Sequence, residues 1–200
     1  MSQRIKIKQL TSGTIPFGNV LISDGFGDFT FTDISGLTYN IDKGTVFPIS
    51  PENGDIFYRT DINYLFYYDD TRTKWLSVEK SALSCGRANA QFNASVYMRV
   101  GDATQTSTSG FKMKRNGTIL GVTIENNSVL TSNRNIEVRV NDSVVNRVLA
   151  TINTGQSSVV INNSNLDFNQ NDIIQVIAIS GASGSGLNNV IVTVNIAYRV

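Results

Sequence analysis

Side chains suited to acid–base or nucleophilic chemistry are few in this sequence. Histidine is absent, which removes Ser-His-Asp and Cys-His arrangements, histidine zinc motifs and the side chain best suited to proton transfer near neutral pH. Cys85 is the only cysteine, so a disulfide framework and a thiolate metal site are excluded. Carboxylates remain. From residue 92 onward they are Asp102, Glu125, Glu137, Asp142, Asp167 and Asp172. Glu137 stands between Ile136 and Val138 and is expected to face outward, while Asp142 and Asp172 read as turn residues. A carboxylate-only glycosidase needs two acids aimed into one cleft, and the pattern offers no such pair. The expectation is a protein without catalytic residues, metal or cofactor.

Other residues suggest binding. Trp75 with Tyr64, Tyr67 and Tyr68 could form a sugar-stacking platform, but such aromatics are more often the core or subunit contact of a small sheet, and that is the reading favoured here. Asp69 and Asp70 could hold calcium, but two adjacent acids without further oxygen ligands at suitable spacing read as a turn. The stretch from Gly181 to Gly186 is glycine-rich like a phosphate loop, yet it lacks the Lys-Ser/Thr and the following helix that such a loop needs. It reads as a loop at the tip of a sheet sandwich, as does Gly101 to Gly110.

Composition sets the frame for these residues. Hydrophobic residues make up 40% of the 200 and charged residues 16%, which rules out disorder driven by charge. Seventeen basic and sixteen acidic residues leave a net charge of +1, so no global field exists to hold nucleic acid. No apolar run approaches bilayer length, and Met1 to Leu10 has no hydrophobic signal core, so neither membrane insertion nor export through a signal peptide is expected.

The elements that must position these side chains are β-strands. Val, Ile, Thr, Phe and Tyr fall in short segments punctuated by Gly, Asn, Asp and Ser, and no apolar stripe of helical period persists. The predicted fold is all-β, in three regions and a connector. Residues 1–47 carry a cationic strand edge (Arg4, Lys6, Lys8) and a hairpin turning at Asp24-Gly25. There Phe29 and Phe31 share a side and need cover from a partner. Residues 48–79 form a three-stranded meander. Residues 80–91 read as a connector containing at most a helical turn, with Cys85 a small buried residue in it. Residues 92–200 have the spacing of a β-sandwich or jelly roll of about eight strands. In it Ala94, Val96, Met98 and Val100 share a face, as do Leu120, Val122 and Ile124. The run from Ile173 to Ile179 reads as a strand covered on both sides, by the sandwich itself or by a neighbouring subunit, which makes Ile177 and Ile179 core or subunit contacts.

Three segments carry a resemblance. PENGDIFY at 51–58, NYLFYYD at 63–69 and KWLS at 74–77 together resemble a segment recurrent in tailed-bacteriophage fibres. VLISDG at 20–25 resembles a second such element. LDFNQNDIIQV at 166–176 is similar to the penultimate strand entry of trimeric jelly rolls, with Asn171 where glycine is usual; Asn tolerates left-handed geometry. The resemblance implies a homotrimeric virion protein made in the host cytoplasm and carried on the particle surface. Its N-terminus, with Arg4, Lys6, Lys8, Phe29 and Phe31, would dock on the major capsid protein or another virion protein. Its C-terminal domain would face outward, where a host-surface glycan is a possible partner. Tyr64, Tyr67, Trp75, Ile177 and Ile179 would serve the core or the trimer contact. The length is similar to that of head fibres of crAss-like phages; a short tail fibre or baseplate adaptor is the alternative. From another class, a free carbohydrate-binding module would need an exposed aromatic platform.

Overall fold

A computed structural model describes residues 19–23, 29–33 and 41–200. The chain divides into two compact units, 1–41 and 42–200. In the first, strands β1 (Asn19–Ser23) and β2 (Phe29–Asp33) pair antiparallel, with Leu21 opposite Phe31 and Ser23 opposite Phe29. This is the strand pair expected around the Asp24-Gly25 turn. The turn itself, and Arg4, Lys6 and Lys8, lie outside the described residues.

The second unit opens with a four-stranded sheet ordered β3 (Asp42–Gly44), β4 (Ile56–Arg59), β5 (Tyr64–Asp69), β6 (Lys74–Ser77). Strands β4 to β6 are the expected meander, registered so that Phe57 faces Phe66 and Tyr68 faces Trp75. Strand β3 is an addition, parallel to β4. Residues 42–47, read from sequence as the end of the anchor region, therefore belong to the meander. Phe47 explains why: its ring stacks on Trp75 at 4.8 Å, and this contact depends on partners far along the chain.

The sandwich follows in twelve strands. Its first sheet is ordered β10 (Ala103–Thr104), β9 (Arg99–Val100), β7 (Lys80–Ala90), β18 (Leu187–Tyr198), β12 (Gly117–Glu125), β15 (Ser158–Ile161), with β16 (Leu166–Phe168) also on β12. The second is ordered β11 (Phe111–Lys112), β17 (Ile173–Ala178), β13 (Arg134–Val140), β14 (Arg147–Ile152), with β8 (Val96–Tyr97) also on β17. Between them lies one apolar core, in which Val122, Ile124, Ile136, Val138, Val176 and Val194 are fully buried. Each such side chain contributes about 1.5–3 kcal/mol by leaving water. Asn171, before β17, has φ +73°, the left-handed turn that its resemblance to a glycine position implies.

Four sequence expectations are corrected here. The connector at 80–91 is strand β7, eleven residues long and paired with β18 over most of its length. Its Ser, Ala and Gly content carries no strand signal; the long partner imposes the conformation. At Gly86 a Cβ would meet the Val190 carbonyl oxygen at 2.5 Å, so only glycine fits that approach. Cys85 points inward from this strand opposite Val192, and burial pushes its thiol up to about 12.

The strand read from Ala94 to Val100 is two strands in different sheets. The chain crosses at the fully buried Met98, which leaves Val100 39% exposed. Leu120 does not share a face with Val122 and Ile124, because a bulge between Ile119 and Gly121 reverses the alternation. Glu137 is buried, although it does lie on the side of β13 away from the core; the reason is two arginines described below. The run at 173–179 is covered on both sides by its own chain: Gln175 and Ile177 are 0% and 3% exposed opposite the core face. Over Gln175, its Nε2 donates to the Ser107 carbonyl, and the Asp142 backbone N–H donates to its Oε1.

Candidate functional site

The aromatic residues of the meander meet in one cluster. Trp75, Phe57 and Phe66 are buried, with Phe47, Tyr64 and Tyr68 packed around them. Phe47 lies parallel to Trp75, interplanar angle 4°, and edge-on to Phe66. The Arg59 guanidinium sits 4.9 Å over the other side of Phe47 and is held there by a two-pronged bond to Asp61. Both faces of Phe47 are thus occupied, and Trp75 is only 9% exposed. Trp75 is therefore core, and no sugar can stack on it. Asp69, weighed above as half of a calcium pair, is buried and bound to Arg72 at 2.5 Å.

Tyr67 serves a different contact. With Leu76 it packs on Leu120 and Ala197, where the reversed bulge residue of β12 emerges from the outer face of the first sheet. Polar bonds reinforce this seam between meander and sandwich. Arg72, in the β5–β6 turn, donates through Nε to the Ser164 carbonyl at 2.7 Å and through Nη2 to the carbonyls of Leu120 and Asn162 at 3.2 Å. The Tyr198 backbone N–H donates to Ser77 Oγ at 2.8 Å. Sequence reading places Arg72 in a turn. Its spacing from Asp69 signals the ion pair, but nothing in the pattern signals carbonyls 48 to 92 residues away.

Asp167 closes the seam. It accepts from Lys74 Nζ at 2.8 Å and from Thr118 Oγ1 at 2.6 Å, with Arg199 Nε 3.7 Å away. Burial alone raises its carboxyl, but the bonds from Lys74 and Thr118 and the charge of Arg199 outweigh this and hold it below the usual range. A carboxyl depressed in the folded state stabilises above its unfolded pKa, about 3.9, and loses that contribution as pH falls through the lower folded value. Asp167→Asn is expected to reduce the urea midpoint at pH 7 and to flatten its decline below pH 4. At 42% exposure the effect is worth less than about 1 kcal/mol. An unchanged pH profile would refute the assignment.

Three further carboxylates on the sandwich are also engaged, Glu137, Asp142 and Asp172. Glu137 receives Arg139 at 2.7 Å and Arg147 at 2.9 Å, and Arg139 also reaches Asp142 at 3.0 Å. Asp172 accepts from Asn141 Nδ2 at 2.8 Å and the Asn169 backbone at 2.7 Å. The two loops expected at one tip are not brought together. Residues 105–110 run along β17, with the Val176 N–H donating to Gln105 Oε1. The loop at 181–186 lies instead beyond the end of that strand, with Thr131 and Ser132 donating to the carbonyls of Gly184 and Ser183.

Of the residues expected at subunit contacts, Ile177 needs no partner, being buried within the single chain, and Ile179 is half-buried. Tyr64 is half-buried, its hydroxyl donating to Glu79. Phe29 and Phe31 lie in β2. The open surface is elsewhere. On the outer face of the first sheet Ile191, between Gly86 and Glu125 of the flanking strands, and Val160, opposite Thr123, are 53% and 55% exposed.

Fold and surface define a class: an all-β chain whose second unit is a two-sheet sandwich carrying a docked aromatic meander, with most sandwich carboxylates committed to ion pairs and hydrogen bonds. No family description matches any part of the chain, and no curated protein matches it. Among solved structures the chain is similar to the PRD1 vertex protein P5, at 20% identity and a TM-score of 0.37, over 78% of this chain and 87% of that one. It is also similar to the globular domain of zebrafish complement 1qA protein, at 19% identity and a TM-score of 0.36, over 61% of this chain and 100% of that one. Likenesses at this level fix neither a common fold nor a common role.

Proposed function

We propose that this chain is a structural virion protein, a capsid-attached head fibre of the crAss-like type. Its N-terminal unit docks on the particle, and its sandwich projects outward as a homotrimer for adhesion. The observation that carries the reading is the division of labour in the fold. The fibre-like meander at 51–77 is built into one compact body with the sandwich, apart from the unit that contains β1 and β2. Self-association is supported by the outer face of the first sheet. Around Ile191 that face is small-residued at Gly86, Ser84 and Thr193 and is flanked by Glu125 on one side and Arg99 on the other, opposite charges that a second copy could meet in complementary fashion. The role is architectural and not catalytic, consistent with Glu137, Asp142 and Asp167 being tied to arginines and lysine.

Deleting residues 1–41 is expected to abolish attachment to particles in an add-back assay while 42–200 stays folded by circular dichroism. Light scattering of the full chain is expected to give three times 21.9 kDa. Truncated protein that still decorated particles would place the anchor elsewhere. A monomer at micromolar concentration would overturn the trimer.

A further inference from the structure

We propose that the depression bordered by Lys114, Arg115 and Arg199 binds an acidic sugar, a glycan unit carrying a carboxylate or sulfate group. The inference extends the adhesion part of the reading above. It relies on that reading only for where such a glycan would be met.

The turn between β11 and β12 brings Lys114 and Arg115 beside Arg199 at the end of β18, around an open depression of about 430 Å³. Three cations and no acidic side chain line it, together with Asn116, Gln170, Ile62 and Val200. Among the described residues, neither Lys114 nor Arg115 takes part in an ion pair. Arg115 is nonetheless positioned: its guanidinium lies 4.9 Å over the Tyr64 ring and 6.0 Å from that of Tyr198. Stacking of this kind fixes the plane of the fork without spending any of its N–H donors.

The neighbouring groups are committed in a way that keeps the fork open. Arg199 spends Nε on the Gly117 carbonyl and Nη2 on the Phe168 carbonyl and Asn169 Oδ1, which holds it as a fixed wall charge. Asn116 Oδ1 accepts the Gln170 backbone N–H at 2.8 Å, which orients its amide. Acidic side chains flanking the depression are engaged elsewhere, Asp61 among them on Arg59. Glu79 accepts the Tyr64 hydroxyl, and Asp167 sits behind Arg199 on Lys74.

A free guanidinium fork beside an ammonium matches an oxyanion, the fork by bidentate bonds and the lysine as a point charge. The volume fits one sugar ring, and Ile62 and Val200, 45% and 53% exposed, offer an apolar rim for its C–H face. Three clustered cations suit a single oxyanion. They cannot track a nucleic-acid backbone, where affinity grows with the number of phosphates neutralised.

The test uses the isolated full chain and immobilised polymers. Polyuronate and dextran sulfate are expected to bind, and neutral dextran to fail; the stronger of the two binders identifies the oxyanion. Binding should weaken steeply between low and physiological salt. Lys114→Gln with Arg115→Gln is expected to lower affinity about tenfold or more, whereas Lys43→Gln, an exposed cation outside the depression, leaves it unchanged. Lys114→Gln alone, which disturbs no stacked side chain, should give an intermediate loss and guards against misfolding of the double variant. Absence of binding to both acidic polymers would overturn the proposal, as would equal loss in the Lys43 variant. Tighter binding to polyglutamate than to either polymer would also overturn it, by making the occupant an acidic protein segment. Because the assay needs no particle, its failure is distinct from failure of the head-fibre reading.

Discussion

Replacing Arg134 with alanine is expected to cost about 3–5 kcal/mol of folding stability, on the scale of the largest core truncations. Arg134 opens β13 and is fully buried. It shares its alternation with the core residues Ile136 and Val138, and so enters the end of the sandwich between the sheets. Among the described residues, no carboxylate pairs with it. Its Nη1 donates to the Phe92 carbonyl at 2.9 Å, and Nη2 to those of Gln91 and Ala94 at 3.1 Å. These carbonyls belong to the turn in which the chain leaves β7 of one sheet for β8 of the other. Burial pulls the guanidinium below its ordinary pKa, yet arginine stays charged at any working pH. Alanine would remove the buried stem and take the side-chain donors from the Gln91 and Ala94 carbonyls, while the Phe92 carbonyl keeps the Gly181 N–H. A carbonyl left unpaired costs about 1–3 kcal/mol only where water cannot reach it, so most of the loss comes from the emptied volume. Arg134→Met separates the two contributions by restoring most of the volume and none of the hydrogen bonds; it should recover more than half of the loss. Urea unfolding with m-values compared across variants measures this. A loss below about 1 kcal/mol for the alanine variant would show that the crossover holds itself in place.

The sequence shows some of these features more clearly than others, and the difference is physical. Strands β4 to β6 were legible because turn residues separate them and aromatic alternation marks their faces, and β13 and β18 because inward valines and isoleucines repeat with period two. Strand β7 was not, since a run of Ser, Ala and Gly takes its conformation from β18 and not from its own preferences. The face of Leu120 was misread because a bulge at Gly121 shifts the alternation. There a Cβ would lie 2.4 Å from the Ile161 carbonyl oxygen, a constraint set by a strand forty residues on. Glu137 fits the outward pattern by alternation, and its burial follows only once Arg139 and Arg147 converge on it. Trp75 was legible as core or contact, but its stacking on Phe47 was not, because Phe47 comes from a segment without strand character. The cationic depression had no signature at all. Lys114 and Arg115 are adjacent in sequence, but Arg199 joins them only through the pairing of β12 with β18.

Arg72→Ala is expected to uncouple the meander from the sandwich and to cost about 3–5 kcal/mol, the range for stripping a buried ion of its partner. The side chains of Arg72 and Asp69 are only 12% and 10% exposed, so removal of the guanidinium leaves a carboxylate with little water to replace it. The same guanidinium bridges to the carbonyls of Ser164, Leu120 and Asn162 in the sandwich. Its loss therefore strikes the seam as well as the turn, leaving Leu76, Tyr67, Leu120 and Ala197 to hold the two parts by apolar contact. Trp75 is the only tryptophan and sits inside the meander, so its fluorescence follows that part alone. Far-UV circular dichroism follows chiefly the sandwich, which holds most of the strands. In the unaltered protein the two signals are expected to change together with denaturant, as one cooperative unit. In the variant, the fluorescence transition should precede the dichroic one, measured at equal protein concentration because association also shifts apparent stability. Arg72→Lys keeps a charge beside Asp69 without the planar fork, and should restore part of the stability but not the coincidence. Combining Arg72→Ala with Asp69→Asn separates the stranded charge from the lost bridge. If the cost is mainly the charge, the double variant recovers most of it; if mainly the bridge, it stays as unstable as the single variant. Coincident transitions in Arg72→Ala, with a loss below about 1 kcal/mol, would show that the apolar seam alone couples the meander to the sandwich.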